Sequence, residues 1–410
     1  MVLPVGSQTV DRLISANTNL LTFFSQSTWS RRVGNPGISD FVVGNPHEAP
    51  LKGVVDALQR WSVPQDASWF AYKRSEPIAQ ATVVSSLRAR FNIPYEPDDI
   101  FMTNGAAAAI SVALRATVNE GDEVIFMSPP WFFYEALIES IGAIPVRVDV
   151  DRDTFDLDLV AIAAAVTPRT RAVIVNSPNN PTGKIYPPQT LAGLAEVLTS
   201  ASSTHGRTIY LLSDEAYNRI IFDERDFMTP TAFYPNSFLL YTYGKTLLTP
   251  GQRLGYIALP PSMPHREQLR TAITLAQFIT GYAFPNALLQ HALPDLEPLS
   301  IDIGHLQRKR DLMVNALQEM GYHVHAPEGT FYLLPRSPVD DDLAFTERLA
   351  EHDVFVLPGS LVQLPGYFRI SLTANDQMIE RALPCFARVV QQVQGADSRV
   401  PSMTHRLESE

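Results

Sequence analysis

From Ile100 to Ser213 the chain repeats one unit, a short apolar run followed by a stretch whose apolar residues fall three and four apart. Ile100–Thr103, Val124–Met127, Ile144–Val148, Ala172–Val175 and Ile209–Ser213 read as strands. Between them Ala106–Thr117, Phe132–Ile141, Leu157–Val166 and Pro188–Ser200 read as helices. A strand that is apolar throughout needs cover on both faces, and helices between successive strands make crossover connections. The pattern therefore predicts an α/β fold built on a mainly parallel sheet. In such a sheet ligands bind beyond the carboxyl ends of the strands.

The flanks carry different signals. Residues 1–37 are polar apart from Leu20, Leu21, Phe23 and Phe24, and predict an arm or short helix packed on the body. Ile38–Val43 reads as a strand, Pro50–Trp61 as a helix with proline in its first turn, and Glu76–Asn92 as another helix. Phe238–Tyr243 is a further apolar strand. Beyond it, Pro264–Ile279, Asn286–Ala292 and Leu306–Met320 have helical spacing. Tyr322–Val324, Thr330–Leu334, Val354–Leu357 and Tyr367–Ser371 read as short strands before a closing helix, Asp376–Val393. The expected division is an arm and strand over 1–44, a large domain over 45–300, a smaller α+β domain over 301–395 that the first strand joins, and a disordered tail over 396–410.

With 410 residues, 45% hydrophobic and 18% charged, the chain is long enough for two domains with a sizeable core. Its net charge of −11 argues against nucleic acid or an anionic membrane as partner, but leaves open a small anion held by local arginines. One cysteine, Cys385, excludes an internal disulfide framework and a cysteine-rich metal site, and a reducing, cytoplasmic setting is expected. The N-terminal residues lack the basic, apolar and small-residue succession of a signal peptide, and Arg31-Arg32 is followed by Val-Gly-Asn-Pro instead of an apolar stretch. No apolar run approaches the roughly 20 residues of a membrane helix. His323-x-His325 reads as one exposed face of a strand, and no metal is expected.

Several short segments fall at the predicted strand ends. Asn104-Gly105-Ala106 joins a strand to a helix, where small residues let an anion reach free backbone N–H groups. Asn180-Pro181-Thr182-Gly183 follows Ala172–Val175 and by itself reads as a turn. Asp214-Glu215-Ala216-Tyr217 follows Ile209–Ser213, where a lone carboxylate is ordinarily a cap or a solvated group. In YTYGKTLLTPGQRLGY, residues 241–256, Lys245 follows a strand and Arg253 sits in a glycine-flanked turn eight positions on. A reactive amine near a fixed guanidinium suits a ligand with an aldehyde at one end and a phosphate at the other.

Taken in order, NGAAAA, PPW, NNPTG, DEAY, GKTLLTPGQRLGY and Tyr367-Phe368-Arg369-Ile370-Ser371 resemble the class I and II aminotransferases, over about Phe41 to Val393. The resemblance implies the aspartate aminotransferase fold, with a seven-stranded-type sheet in the large domain, and pyridoxal 5′-phosphate as cofactor. Residue by residue, Lys245 matches the family's Schiff-base lysine and proton carrier, and Arg253 its phosphate-binding arginine. Asp214 matches the carboxylate beneath the pyridine nitrogen, and Tyr217 and Asn180 the two groups on the ring's 3′ oxygen. Trp131 matches the stacking aromatic, and Gly105, Ala106 and Thr242 the phosphate site. Tyr72 matches a tyrosine reaching the neighbouring subunit's phosphate, while Arg369, with Asn180 and Gly44, falls where relatives bind substrate. The implied reaction is ping-pong transfer of an amino group from an L-amino acid to a 2-oxo acid, in a homodimer with shared sites.

Three departures stand out. Pro77 lies near a position where relatives commonly have glycine, which bears on Tyr72; Gly244 stands where they often have serine; and Ala106 stands where some aspartate-using relatives have a distal-carboxylate lysine. The last, with Phe23, Phe24, Trp69 and Phe70 as nearby apolar candidates, favours a neutral or aromatic donor over aspartate. A lyase or oxidase using the same cofactor and fold stays open, as does a noncatalytic cofactor-binding protein. A nicotinamide-dependent oxidoreductase lacks its signature, since no GxGxxG follows the first strand.

Overall fold

Covering both faces of each apolar strand is what assembles the centre of the molecule. In the computed structural model, which describes residues 6–397, seven strands form one sheet. They are β1 Ile100–Thr103, β2 Glu123–Ser128, β3 Ile144–Asp149, β4 Thr170–Asn176, β5 Tyr210–Asp214, β6 Ser237–Thr242 and β7 Gly255–Ala258. Across the sheet they run β1-β7-β6-β5-β4-β2-β3. All neighbours are parallel except β7, which is antiparallel to both β1 and β6. The predicted α/β class and mainly parallel sheet are thus observed.

Alternate residues of one strand enter different cores. Val124 and Phe126 of β2 and Ala172 and Ile174 of β4 pack with Ile110, Leu114 and the helix Arg266–Ile279 on one face. Ile125, Met127, Val173 and Val175 pack with Leu191, Leu194 and Leu198 of the helix Pro188–His205 on the other. Each fully buried aliphatic side chain contributes about 1.5–3 kcal/mol of burial, so both helical layers are held firmly on the sheet. Edge strand β3 is covered less completely, and five of its six residues, all but Val148, are at least partly solvent-exposed.

The C-terminal part packs on its own apolar cluster, in which Phe41 joins Met313, Leu317, Phe345, Phe368 and Phe386. Phe368–Ser371 is the centre of a three-stranded antiparallel sheet, between Leu357–Pro358 and Tyr332–Leu333. Ser39–Asp40 pairs in parallel with Val354–Phe355. The predicted strand Ile38–Val43 is therefore only two residues long as a ladder. Its continuation gives Phe41 O to the N–H of Ser371, at 2.9 Å, and Val42 O to Arg369.

Other expectations shift. Tyr322–Val324 is not a strand, although Tyr322 and Val324 are buried and His323 and His325 exposed; the backbone bond from Arg336 N–H to His323 O, at 2.7 Å, does not extend into a ladder. The helix expected from Phe132 begins at Tyr134, because Phe132 and Phe133 form a turn ahead of it. The N-terminal residues form three helices, Gln8–Ala16, Thr18–Gln26 and Thr28–Arg32, of which Leu20 and Trp29 are buried. The last helix runs Asp376–Asp397, so the expected disorder fails at 396–397, while 398–410 lie outside the described residues. Among the described residues no helix is long and apolar enough to cross a membrane.

Candidate active site

Parallel register brings three polar side chains to one edge of the sheet. Asn176 ends β4, Asp214 ends β5 and Thr242 ends β6, with Asn176 paired directly to Asp214. Beyond them lies a cavity of about 250 Å³. Gly44, Ala106, Trp131, Asn180, Asp214 and Tyr217 line it. So do Thr242, Lys245, Arg253 and Arg369. Of the residues predicted for the site, Gly105 lies just behind this lining against Arg253, and only Tyr72 stands apart.

Asp214 is 5% exposed. Its Oδ2 accepts from the Tyr134 hydroxyl at 2.5 Å and its Oδ1 from the N–H of Ala216 at 3.3 Å. Burial pushes the carboxyl up to about 6, although the Tyr134 hydroxyl, the Ala216 N–H and the Lys245 charge all pull it down. A carboxylate so placed gains when a cation or a protonated ring nitrogen reaches it.

Thr242 caps the single helical turn Tyr243–Thr246, accepting from the N–H of Gly244 at 3.3 Å. That turn carries Lys245, which is half-buried, its Nζ 5.6 Å from the ring centre of Tyr217 and 5.7 Å from that of Phe331. A Cβ on Gly244 would come 3.0 Å from Pro250 Cα, a tight approach that a glycine before the lysine avoids.

At one end of the cavity, Gly105 opens the helix Ala106–Thr117 with φ of 86° and no side-chain cap, leaving the first-turn N–H groups free. A Cβ at Gly105 would stand 2.7 Å from Arg253 Nη2, so the glycine is a cradle for the guanidinium. Arg253 Nη1 donates to Pro250 O at 2.8 Å and the side chain meets no carboxylate there.

Arg369 is only 2% exposed. It donates to Asn180 Oδ1 at 3.0 Å and to Val42 O at 2.8 Å, stacks 4.1 Å from the ring centre of Tyr332, and leaves Nε without a partner. None of these partners is anionic. A buried guanidinium without a counter-charge is costly, and an incoming carboxylate removes that cost. Asn180 is itself held by Asn176 Oδ1, which accepts from its backbone N–H at 2.7 Å.

Tyr217 and Tyr332 face each other beside these cations. Burial, then the neighbouring Tyr332, pushes the Tyr217 phenol well up. Burial also acts upward on Tyr332, but Arg369 and Lys245 outweigh it and its phenol lies below the usual value. Gly44 is required by packing, since a Cβ there would stand 2.7 Å from both the Phe331 ring and the Tyr332 hydroxyl. Trp131, half-buried, lies edge-on to Tyr134 with ring centres 5.5 Å apart.

Tyr134, Asn176 and Tyr332 are site residues that the sequence reading missed. Tyr134 follows Trp131 by three residues, and Asn176 directly ends the apolar run of β4; both spacings were signals available in the sequence. Tyr332 had no such marker. Tyr72 is 86% exposed, with its ring 4.8 Å from that of Phe284.

The donor set fits pyridoxal 5′-phosphate. Arg253, Thr242 and the free N–H groups after Gly105 suit a phosphate, Lys245 an aldehyde, and buried Asp214 a protonated ring nitrogen.

A sequence profile described as aminotransferase class I and II matches residues 37–385. The chain is 27% identical over 371 residues to a probable aspartate aminotransferase of Methanocaldococcus jannaschii, covering 86% of this chain and 94% of that one. It is 31% identical over 330 residues to an aspartate/prephenate aminotransferase of Cereibacter sphaeroides, covering 75% and 80%. An amino transferase crystal structure from Eubacterium rectale superposes with a TM-score of 0.87 at 29% identity, over 95% of this chain and 99% of that one.

Proposed function

The chain belongs to the class I and II aminotransferases, and from that premise we propose that it uses pyridoxal 5′-phosphate to move the amino group of an L-amino acid to a 2-oxo acid in two ping-pong half-reactions. The observation that carries this reading is the buried Arg369, free of any anionic partner, in the same cavity as Lys245 and Asp214.

The cofactor, when bound, supplies an aldehyde carbon to receive the amino group and a ring that draws electrons from the substrate's Cα. Arg369 binds the substrate's α-carboxylate through its fork, assisted by Asn180, and so fixes which bond at Cα is presented. Lys245 would hold the cofactor through its aldehyde, and its amine, when free, would serve as the base and acid that moves the proton of the substrate's Cα. Asp214 keeps the ring nitrogen protonated, and Tyr134 holds the carboxylate to that task. Tyr217 and Asn180 would hold the ring through hydrogen bonds, and Trp131 would shield it from water. Arg253, Thr242 and the N–H groups of the helix after Gly105 anchor the phosphate.

The working form is a homodimer in this reading. Phe70, Tyr72, Phe278, Ile279 and Phe284 expose 44–86% of their surface together, an apolar patch that a second copy would cover. Tyr72 would then reach the second copy's phosphate site. Residues 45–300 form the cofactor domain and 301–395 the smaller domain joined by Ser39–Asp40.

The test is reconstitution with pyridoxal 5′-phosphate followed by borohydride reduction and peptide mass mapping. The label is expected on the Lys245 peptide and absent in Lys245→Ala. Anaerobic addition of amino acids should release a 2-oxo acid and leave the amino group on the cofactor. Ammonia release or oxygen consumption in its place would transfer the assignment to a lyase or oxidase.

A further inference from the structure

We propose that the amino donor has an uncharged, apolar side chain of the leucine or phenylalanine kind, seated against Val43, Ile110, Trp131 and Phe132. This rests on the aminotransferase reading above and adds the substrate class.

Charge decides first. The ionic side chains lining the cavity are Lys245, Arg253, Arg369 and Asp214. Arg253 lies in the cradle of Gly105 beside the free N–H groups of a helix, Arg369 is the carboxylate fork, and Lys245 is the reacting amine. A donor with a second carboxylate would bring it into the cavity with no further cation of the same chain, among the described residues lining it, left to meet it. An ionised carboxylate taken from water without a partner is strongly disfavoured, whereas an apolar side chain gains there.

The apolar part of the lining is built to hold its shape. Ala106 and Ala107 keep the helix face low, and Ile110 is buried one turn on. Phe132 is packed from behind by Phe24 of the helix Thr18–Gln26, with ring centres 5.9 Å apart. Phe24 in turn meets Phe23 and Trp29, each with ring centres 5.5 Å away. Trp29 is pinned by its Nε1, which donates to the buried Asp40 at 3.0 Å. The N-terminal helices therefore brace the side-chain subsite, and Phe24 is a positioning residue that sets specificity without entering the cavity.

The experiment uses the pyridoxal 5′-phosphate holoenzyme. Binding of 3-phenylpropionate and of succinate is measured by titration calorimetry, and kcat/KM is measured for L-phenylalanine, L-leucine, L-alanine and L-aspartate. We expect 3-phenylpropionate to bind at least tenfold tighter than succinate, and phenylalanine or leucine to exceed aspartate at least tenfold in kcat/KM. Phe132→Ala should lower the phenylalanine-to-alanine ratio at least tenfold, a size consistent with losing several apolar contacts from a substrate pocket. Phe24→Leu should lower the same ratio by a smaller factor with cofactor affinity retained. Equal or better use of aspartate, including through a cation delivered by a second copy, would overturn the proposal, as would a Phe132→Ala loss uniform across donors. Brisk turnover of aspartate keeps the transfer reaction and sinks the apolar subsite. Tight 3-phenylpropionate binding with no amino acid consumed does the reverse.

Discussion

Replacing Gly105 with alanine should weaken cofactor binding through Arg253, not through the substituted residue itself. The backbone at Gly105, φ 86° and ψ 176°, is a region open essentially to glycine alone, so alanine costs about 1–3 kcal/mol in the ligand-free chain. Its Cβ would sit 2.7 Å from Arg253 Nη2 and 3.1 Å from Cζ, forcing the guanidinium outward. At an effective dielectric near 20, a unit charge pair falls from about 4 kcal/mol at 4 Å to about 3 at 6 Å. A phosphate carrying nearly two charges doubles the loss to about 2–3 kcal/mol, and solvent screening at the exposed Arg253 roughly halves it. What remains, about 1–1.5 kcal/mol, corresponds to about a tenfold rise in Kd. Fluorescence titration of the ligand-free protein with pyridoxal 5′-phosphate measures it, and pyridoxal, which lacks the phosphate, is the control. An equal loss for both ligands, or no loss for the phosphate ester, would refute the reasoning.

Arg369→Gln should cut kcat/KM for amino donors by about a hundredfold or more, since losing a charge-assisted bidentate contact costs about 3 kcal/mol, with cofactor affinity little altered; steady-state kinetics and cofactor titration separate the two. Tyr134→Phe removes a hydrogen bond that pulls the Asp214 carboxyl down. At about 0.5–1.5 kcal/mol, that loss should raise its midpoint from about 6 by about half to one pH unit in the ligand-free protein, read by infrared titration with Asp214→Asn as blank. Glu215 is fully buried, and burial pushes its carboxyl from 4.5 up to about 7 in spite of hydrogen bonds from Thr229, Asn218 and Ser213. The folded chain thus holds this proton more tightly than the unfolded one, and Glu215 favours folding most at low pH. Its contribution is lost as pH rises from about 4.5 to about 7, by about 3 kcal/mol. Melting of Glu215→Gln and the parent chain across pH 5 to 8 should show the variant gaining relative stability as pH rises; a pH-independent difference would contradict it.

Much of the site was legible because its residues stand at places that local patterns mark. Lys245 and Asp214 directly follow or end apolar strands, and in a parallel sheet those ends share one edge. Gly105 and Ala106 sit where a strand turns into a helix, and the order of these segments carried the family resemblance. Tyr332 was not legible in this way. Its strand was read, as Thr330–Leu334, but its place in the site was not, because that depends on the pairing of Tyr332–Leu333 with the distant Phe368–Ser371.

Local chemistry in the sequence determined the order of six of the sheet's seven strands, though not Gly255–Ala258, together with the sheet's mainly parallel character and the inventory of amine, carboxylate and guanidinium groups. Tertiary structure decided which groups meet. The Tyr134 hydroxyl reaches Asp214 across 80 residues of chain, and Arg369 reaches Asn180 across 189. It also decided that Tyr72 lies outside its own chain's cavity and that Ile38–Val43 forms only a two-residue ladder. The physical reason is range: periodicity and turn preference act over a few residues, whereas burial, hydrogen bonding and the fate of an unpaired charge depend on whatever the folded chain brings alongside.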